Sequence, residues 1–147
     1  MRKGGFIVAK IHQLSGRIIS HKFRQRGLKI HHAQGRILFF LWQCGGVSIQ
    51  QLAVALSLDL STLSLMLDRL AEAGLVHKVP STVDKRKTMV FAADNQAELR
   101  AHYEQVLGEM QEGFYRGFSE EEVCLTEALL ERIYRNLSSM DKENKEG

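Results

Sequence analysis

The sequence is poor in several residue types, and each scarcity excludes a class of protein. It has one proline and two cysteines in 147 residues, so neither a collagen-like chain nor a disulfide scaffold is expected. Cys44 and Cys124 stand at no metal-ligand spacing, which favours free thiols in a reducing compartment. Lys10 and Arg17 interrupt the apolar runs near the start, so we expect no signal peptide and no membrane-spanning segment. These absences predict a cytoplasmic protein that has no membrane partner.

The motifs that identify enzymes and metal sites are also missing. The sequence contains no glycine-rich phosphate loop and no HExxH, GxSxG or CxxC motif. His31 and His32 are adjacent, and neighbouring side chains on a helix diverge by about 100°, so they are poorly placed to share one ion. We therefore expect no catalytic residues, no metal and no cofactor.

Acidic residues are absent from the first 58 positions, which hold nine Lys or Arg. Residues 59–93 carry five cations against four acids, and residues 94–147 carry six against thirteen, so the formal charges are +9, +1 and −7. A basic segment of this kind suits a polyanion such as DNA. The alternative is a solvated basic face that pairs with the acidic last third.

Hydrophobic periodicity predicts a mainly α-helical chain. Ile7, Ile11, Leu14 and Ile18 recur at helical spacing and predict a helix over about residues 5–25. The same analysis predicts further helices over about residues 31–43, 49–56, 60–73, 95–116 and 120–137.

Polar residues mark the starts of several of these helices. Ser48 with Gln51, and Ser119 with Glu122, have the spacing of capping boxes. Asp59 is a further N-cap candidate. The Asp94–Asn95 pair is expected to cap the helix predicted over about residues 95–116.

A β-hairpin with a charged tip is predicted between these helices. Residues 75–79 and 88–91 are short and β-prone, and the segment between them is polar. Its tip carries three consecutive cations, Lys85, Arg86 and Lys87, on a projection that no core would use. An exposed cationic arm of this kind fits a DNA groove.

The order of short helix, tight turn, helix and charged hairpin is typical of a winged helix-turn-helix. In that fold the second helix enters the major groove with its N-terminal residues nearest the bases. The predicted DNA-contacting residues of this part are Ser48, Leu60, Ser61, Thr62, Ser64, Leu65 and Arg69. A plain helical hairpin inside an α-rich core is the alternative interpretation.

The hairpin tip supplies the second part of the predicted interface. Arg86 is expected to enter the minor groove, while Lys85 and Lys87 meet phosphates. Asp84 is expected to orient the Arg86 guanidinium. Taken alone, such a charge run is more often a solvated turn; its position directly after a helix-turn-helix favours the wing.

The run LDRLAEAGLVHKVPSTVDKRKTMV, residues 67–90, resembles the recognition-helix end and wing of the MarR family of multiple-antibiotic-resistance regulators. The Asp84-x-Arg86 spacing and residues 70–76 are the most specific matches. The resemblance implies one domain over residues 1–147, with a winged module at about 30–93. It also implies a dimerisation body built from helices around residues 5–25 and 95–137.

By that resemblance the chain is a sequence-specific transcription regulator, usually a repressor, that binds a pseudo-palindromic duplex DNA operator as a homodimer. Relatives often bind small aromatic acids, so His12, His21 and Trp42 are candidates for a pocket that takes an aromatic or phenolic effector. The alternative is that these three side chains are ordinary surface or core residues of their helices. A winged-helix adaptor that binds protein instead of DNA is the competing function. Leu65 departs from the family pattern, so no operator sequence is predicted.

Overall fold

The computed structural model describes residues 1–147 and is mainly helical with one small sheet. The chain forms two compact units, residues 1–110 and 111–147. The elements follow in the order α1 (Gly4–Gln25), α2 (His32–Cys44), β1 (Val47–Ser48), α3 (Ile49–Leu56), α4 (Leu60–Glu72), β2 (Val76–Pro80), β3 (Thr88–Ala92), α5 (Ala97–Phe114) and α6 (Glu120–Glu146). The predicted winged helix-turn-helix architecture is confirmed.

One apolar core organises the first unit. Its fully buried side chains are Phe23, Ile37, Leu38, Leu41, Leu52, Leu63, Leu67, Leu70, Val90 and Val106. Tyr103 of α5 packs against Phe23 of α1, with ring centroids 5.7 Å apart, and against Phe39 of α2, at 5.2 Å. Gly35 makes this approach possible, because a Cβ there would lie 2.7 Å from the Tyr103 ring.

Ion pairs reinforce the contact between α1 and α5. Glu109 accepts hydrogen bonds of 2.8 Å from Lys22 and from Arg26. The hydrogen bond from Lys22 is the main cause of the lowered pKa of Glu109, with Arg26 adding to it. These groups are exposed enough for water to screen them, so they set the register of the two helices more than they stabilise the fold.

The helix-turn-helix is made by α3 and α4, whose axes bend by 111° from one to the other. Ser57 adopts the left-handed conformation at the end of α3, with φ 53°. The N–H of Leu58 then donates to the carbonyl of Ala53 at 2.9 Å, which closes the turn. Ala53 is buried and lets the two helices cross closely. No single helix of the chain is long and apolar enough to span a membrane. The helices α3 and α4 reach that length and hydropathy only when the two are counted together.

The wing is part of a three-stranded antiparallel sheet in the order β1-β3-β2. β2 and β3 pair from Val76–Ala92 to Pro80–Thr88, as a hairpin requires. The sequence-based prediction missed β1, which pairs Val47 with Val90. Two residues are too short to show strand periodicity, so only the tertiary pairing reveals this strand.

Helix boundaries differ from the predictions by two residues or more at the end of α6 and at both ends of α5, which ends at Phe114 and not at about residue 116. α6 continues to Glu146, so the end predicted at residue 137 is wrong. Its last turns are rich in residues that favour helix, and Asp141 pairs with Lys145 four residues on. α5 begins only at Ala97, because Asn95 has φ 63°, outside the helical region.

Two of the predicted caps need correction. The first intrahelical bond of α5 runs from the N–H of Arg100 to the carbonyl of Gln96, so neither Asp94 nor Asn95 is the cap residue. Asp59 does occupy the N-cap position of α4 in an extended conformation, but its side chain makes no cap hydrogen bond. The carbonyl of Asp59 instead begins the helix by accepting from the N–H of Leu63.

The second unit contains the last residues of α5 and all of α6. Ser119 starts α6 with the predicted capping box: its hydroxyl accepts from the N–H of Glu122 at 3.2 Å, and its own N–H donates to the Glu122 carboxylate. The Tyr115 hydroxyl donates to Glu127 at 3.0 Å. No residue of α6 is buried, although the helix carries a regular apolar stripe.

Candidate nucleic-acid interface

The two faces of α4 differ sharply in burial. Leu63, Leu67 and Leu70 are completely buried and hold the helix on the core. The residues predicted to contact DNA from this helix, Leu60, Ser61, Thr62, Ser64, Leu65 and Arg69, are all exposed. Leu65 follows Leu63 by two residues and therefore projects from the opposite side of the helix, about 160° away. The packing of α4 thus presents these side chains to solvent.

Ser48 does not belong to that surface. It is only 2% exposed, and its hydroxyl accepts a 3.1 Å hydrogen bond from the N–H of Gln51 at the start of α3. The Gln51 side chain in turn accepts from the N–H of Ser48 at 3.0 Å. The capping box was predicted correctly, but the same box removes Ser48 from the candidate DNA-contacting residues, because a buried, bonded hydroxyl cannot reach a base.

Hydrogen bonds fix the shape of the wing tip. The Ser81 hydroxyl accepts from the N–H groups of Val83 and Asp84, each at 3.2 Å. The N–H of Ser81 donates to the Lys87 carbonyl at 2.9 Å, and the N–H of Lys87 donates to the Asp84 carbonyl at 3.0 Å. The tip is consequently an ordered turn, in which Lys85, Arg86 and Lys87 are exposed.

Asp84 orients Arg86, as the sequence predicts. One carboxylate oxygen accepts from the Arg86 backbone N–H at 3.0 Å and from its Nε at 3.1 Å, and the other accepts from Nη2 at 3.3 Å. The hydrogen bonds from Arg86 lower the pKa of Asp84. The Arg86 side chain is nevertheless 90% exposed. A guanidinium that is already oriented and still in solvent loses less entropy when it enters a groove.

An ion pair between Asp68 of α4 and Lys78 of β2 links the helix to the wing. The two residues lie on either side of the Gly74 turn, where φ is +75° and the N–H of Leu75 donates to the Leu70 carbonyl at 2.9 Å. The sequence analysis did not identify this pair. Asp68 and Lys78 are ten residues apart, and the chain changes from helix to strand between them. Neither helical nor strand periodicity therefore predicts their contact.

The three predicted effector-pocket residues do not come together. An open cleft of about 460 Å³ lies between α1 and the start of α2, and of the three only His12 lines it. His21 is exposed outside the cleft. The cleft is instead lined by His12, Gln13, Gly16, Arg17, Ser20, Arg24, His31, His32 and Ala33.

Trp42 has a structural role that the sequence did not indicate. Its Nε1–H donates to the side-chain oxygen of Gln96 at 2.8 Å, and the Gln96 amide donates to the Leu75 carbonyl at 2.9 Å. Its ring also meets Tyr103 edge-on, with centroids 5.8 Å apart. Trp42 and Gln96 therefore join α2 to the segment that enters the wing, and Trp42 does not line the cleft.

Cations surround the histidines of the cleft. Burial lowers the pKa of His32, and Arg36, His12 and His31 lower it further. Burial also lowers the pKa of His31, with an additional effect from Arg69 of α4. No lining residue is acidic. The cleft is therefore a basic surface without acidic residues, and it lies near Arg69 of α4.

Comparison with known proteins agrees with this geometry. The sequence profile of the MarR family matches residues 30–88. The chain is 28% identical over 105 residues to the HTH-type transcriptional repressor IacR of Pseudomonas putida, a match that covers 71% of this chain but only 63% of that repressor. It is 26% identical over 130 residues to the multiple antibiotic resistance protein MarR of Escherichia coli, covering 88% of this chain and 89% of MarR.

The fold is shared as well. A crystal structure of a cysteine-to-serine mutant of E. coli MarR complexed with operator DNA superimposes with a TM-score of 0.78 at 25% identity, covering 88% of this chain and 91% of that one. The family profile coincides with α2 to the start of β3, which is the region that carries the helix-turn-helix and the wing. Profile, relatives and fold agree that the chain is similar to MarR-family winged-helix proteins, with the profile match confined to residues 30–88.

Proposed function

We propose that this protein is a sequence-specific transcription regulator that binds duplex DNA as a homodimer. The observation that carries the proposal is the pairing, on one module, of an exposed α4 face with an oriented and exposed Arg86. α4 is suited to the major groove, and Arg86 to the adjacent minor groove. E. coli MarR, which shares the fold, has been crystallised with its operator DNA.

Exposed apolar stripes supply the argument for a dimer. On α1 the stripe consists of Phe6, Ile7, Val8, Ile11, Leu14 and Ile18. On α6 it includes Leu130, Ile133, Leu137 and Met140, whose alternating spacing of three and four residues is that of a helix–helix seam. Contiguous apolar surface of this kind marks a protein interface. A twofold dimer would offer two α4 helices to half-sites about 34 Å apart, which matches a pseudo-palindromic operator.

Replacement of the wing arginine tests the proposal. Arg86→Ala should weaken binding to the operator by about 1–3 kcal/mol, because it removes the groove contact. Lys85→Ala should lower the slope of log K against log salt by about one unit, because it removes one phosphate contact. Fluorescence anisotropy with duplex from the protein's own upstream region, in the presence of random competitor DNA, measures both effects. Arg116→Ala, which removes an exposed arginine of the acidic second unit, serves as the control.

The same titration separates this function from the alternative, a winged-helix adaptor that binds protein. A regulator shows a salt-dependent shift and a footprint on specific DNA. An adaptor shows neither, and its wing variants bind DNA no differently from the parent chain. The first 58 residues hold nine cations, of which only Lys22 and Arg26 form ion pairs, both with Glu109. This excess of positive charge favours the regulator.

Repression, and its release by a small aromatic or phenolic acid, completes the proposal. IacR is a repressor by name, and the basic cleft between α1 and α2 suits a carboxylate. We place the effector there, and not at Trp42 or His21. Calorimetric titration with 2-hydroxybenzoate should give a heat of binding that Arg17→Ala removes and His21→Ala leaves unchanged. Equal heats from both variants would remove the cleft from the proposal.

A further inference from the structure

The exposed face of α4 is poor in the side chains that usually distinguish bases. Its first two turns present Leu60, Ser61, Thr62, Ser64 and Leu65 to solvent. None of these is the Asn, Gln, Arg or Lys that makes a bidentate pair with adenine or guanine. A hydroxyl both donates and accepts, so Ser and Thr can bond to any base and discriminate weakly. Base selection by these two turns must therefore come from their apolar side chains.

Leu65 is the apolar side chain best placed to do this. It is 54% exposed and projects from the side of α4 opposite the buried Leu63. Leu60 precedes Leu63 by three residues, so it lies only about 60° from the buried stripe and faces the flank of the helix. The residues on either side of Leu65 along the outward face are Ser61 and Arg69, one turn away in each direction. Leu65 thus occupies the middle of the surface that enters the groove.

Thymine is the only base that offers a methyl group in the major groove. A leucine packed on that methyl gains apolar burial, whereas a leucine pressed on the amino group of cytosine or adenine leaves a donor without a partner, which costs more. The wing cannot supply this discrimination, since the minor groove does not display the thymine methyl. Lys85 and Lys87 of the wing add affinity at phosphates without regard to sequence.

We propose that Leu65 is a specificity-determining residue that selects thymine in each operator half-site through contact with the thymine 5-methyl group. This inference rests on the proposed DNA-binding function and adds to it the chemistry by which the base is chosen. Arg69, one turn further along the helix, is left to contact phosphate or a separate base.

The experiment uses the full-length protein and a duplex selected from a random pool. Each thymine of the selected site is replaced in turn by deoxyuridine, which removes only the methyl group. At the thymine that faces Leu65, affinity should fall about three- to fivefold for one half-site, and about ten- to 25-fold when both half-sites are changed, as expected for one buried carbon on each side. Other thymines should show little change.

Leu65→Ala identifies the residue responsible. In this variant, the thymine-to-uracil ratio at the sensitive position should fall to one, because no side chain remains to contact the methyl. Alanine favours helix and Leu65 is exposed, so the variant keeps the fold, and circular dichroism verifies this. Val83→Ala is the matched control: Val83 is a 96% exposed apolar residue on the wing, and its loss should leave the ratio intact.

The outcomes separate this inference from the function on which it rests. Salt-dependent, sequence-selective binding without any uracil-sensitive position would overturn the role of Leu65 and keep the regulator. A ratio that persists unchanged in Leu65→Ala would do the same. Absence of DNA binding by the parent protein would overturn both proposals.

Discussion

Hydrophobic periodicity is used in opposite ways by the core helices of the first unit and by α6 of the second. In residues 1–110 the apolar stripes of α2, α4 and α5 meet one another, and every buried apolar side chain of the chain lies there. In residues 111–147 the stripe of α6 is equally regular, yet none of its residues is buried. The contrast shows that an apolar stripe predicts packing against another apolar surface, but not whether that surface belongs to the same chain or to a second copy.

The largest effect should come from charging the stripe of α6. Leu137→Asp places a carboxylate in the seam of the proposed homodimer, where it cannot be hydrated or paired, and we expect the dimer to dissociate at micromolar concentration. Operator affinity should fall with it. Analytical ultracentrifugation measures the change.

Ser139→Asp is the matched control for that variant. It adds the same charge two residues further along α6, about 160° around the helix from Leu137. A dimer that survives Leu137→Asp, or one that Ser139→Asp also dissociates, would show that the stripe is not the interface.

A smaller effect is expected in the core of the first unit, where the apolar stripes of α2, α4 and α5 are already buried. Gly35→Ala would place its methyl 2.7 Å from the Tyr103 ring and 3.2 Å from that of Phe23. Forcing these rings apart should lower the free energy of unfolding by about 1–3 kcal/mol. Urea denaturation measures this. Gly108→Ala, which meets nothing within 4 Å, should instead be neutral or stabilise α5 by about 0.5–1 kcal/mol.

Gln96→Ala tests the connection between α2 and the wing. It leaves the partly buried Trp42 Nε1–H without its acceptor and removes one of two hydrogen bonds to the Leu75 carbonyl, which keeps the bond from the Ala93 N–H. We expect a loss of about 1–2 kcal/mol in the free energy of unfolding. Gln50→Ala, on the exposed side of α3, should change little. If the two variants unfolded alike, the bridge would contribute nothing to stability.

The smallest effect should be the pH dependence contributed by the cleft. The lowered pKa of His32 means that the unfolded chain binds a proton more readily than the folded one below the ordinary value of 6.5. The contribution of His32 to stability is therefore complete above pH 6.5 and is lost as the pH falls through the folded pKa. His32→Gln should reduce the decline in unfolding free energy between pH 7.5 and 5.5. An unchanged decline would assign it to other groups.

Local patterns predicted that most residues of the candidate interface are exposed. The exposed face of α4 follows from the spacing of Leu63, Leu67 and Leu70, and the orientation of Arg86 follows from an aspartate two residues earlier in a turn. Both depend on interactions within a few residues of the chain. Ser48 was the exception, because the same hydroxyl was assigned both to a cap and to DNA, and only its burial decides between them.

The effector pocket could not be predicted in the same way. His12 and His21 both lie on α1, on opposite faces of the helix, whereas the position of Trp42 depends on how α2 and α5 pack. In the packed chain Trp42 donates a hydrogen bond to Gln96, and His21 lies outside the cleft. The strand β1 belongs with these cases, since it exists only because Val47 lies beside Val90.

By itself, the sequence determined the helices, the wing and the charge of its tip, because helical periodicity, capping and turn formation depend on residues that are near neighbours along the chain. Only the tertiary structure decided which polar groups are buried, which histidines share a cleft, and that Asp68 holds the wing to α4 through Lys78. These relations join distant residues, and burial is a property of the packed chain, which no local pattern contains.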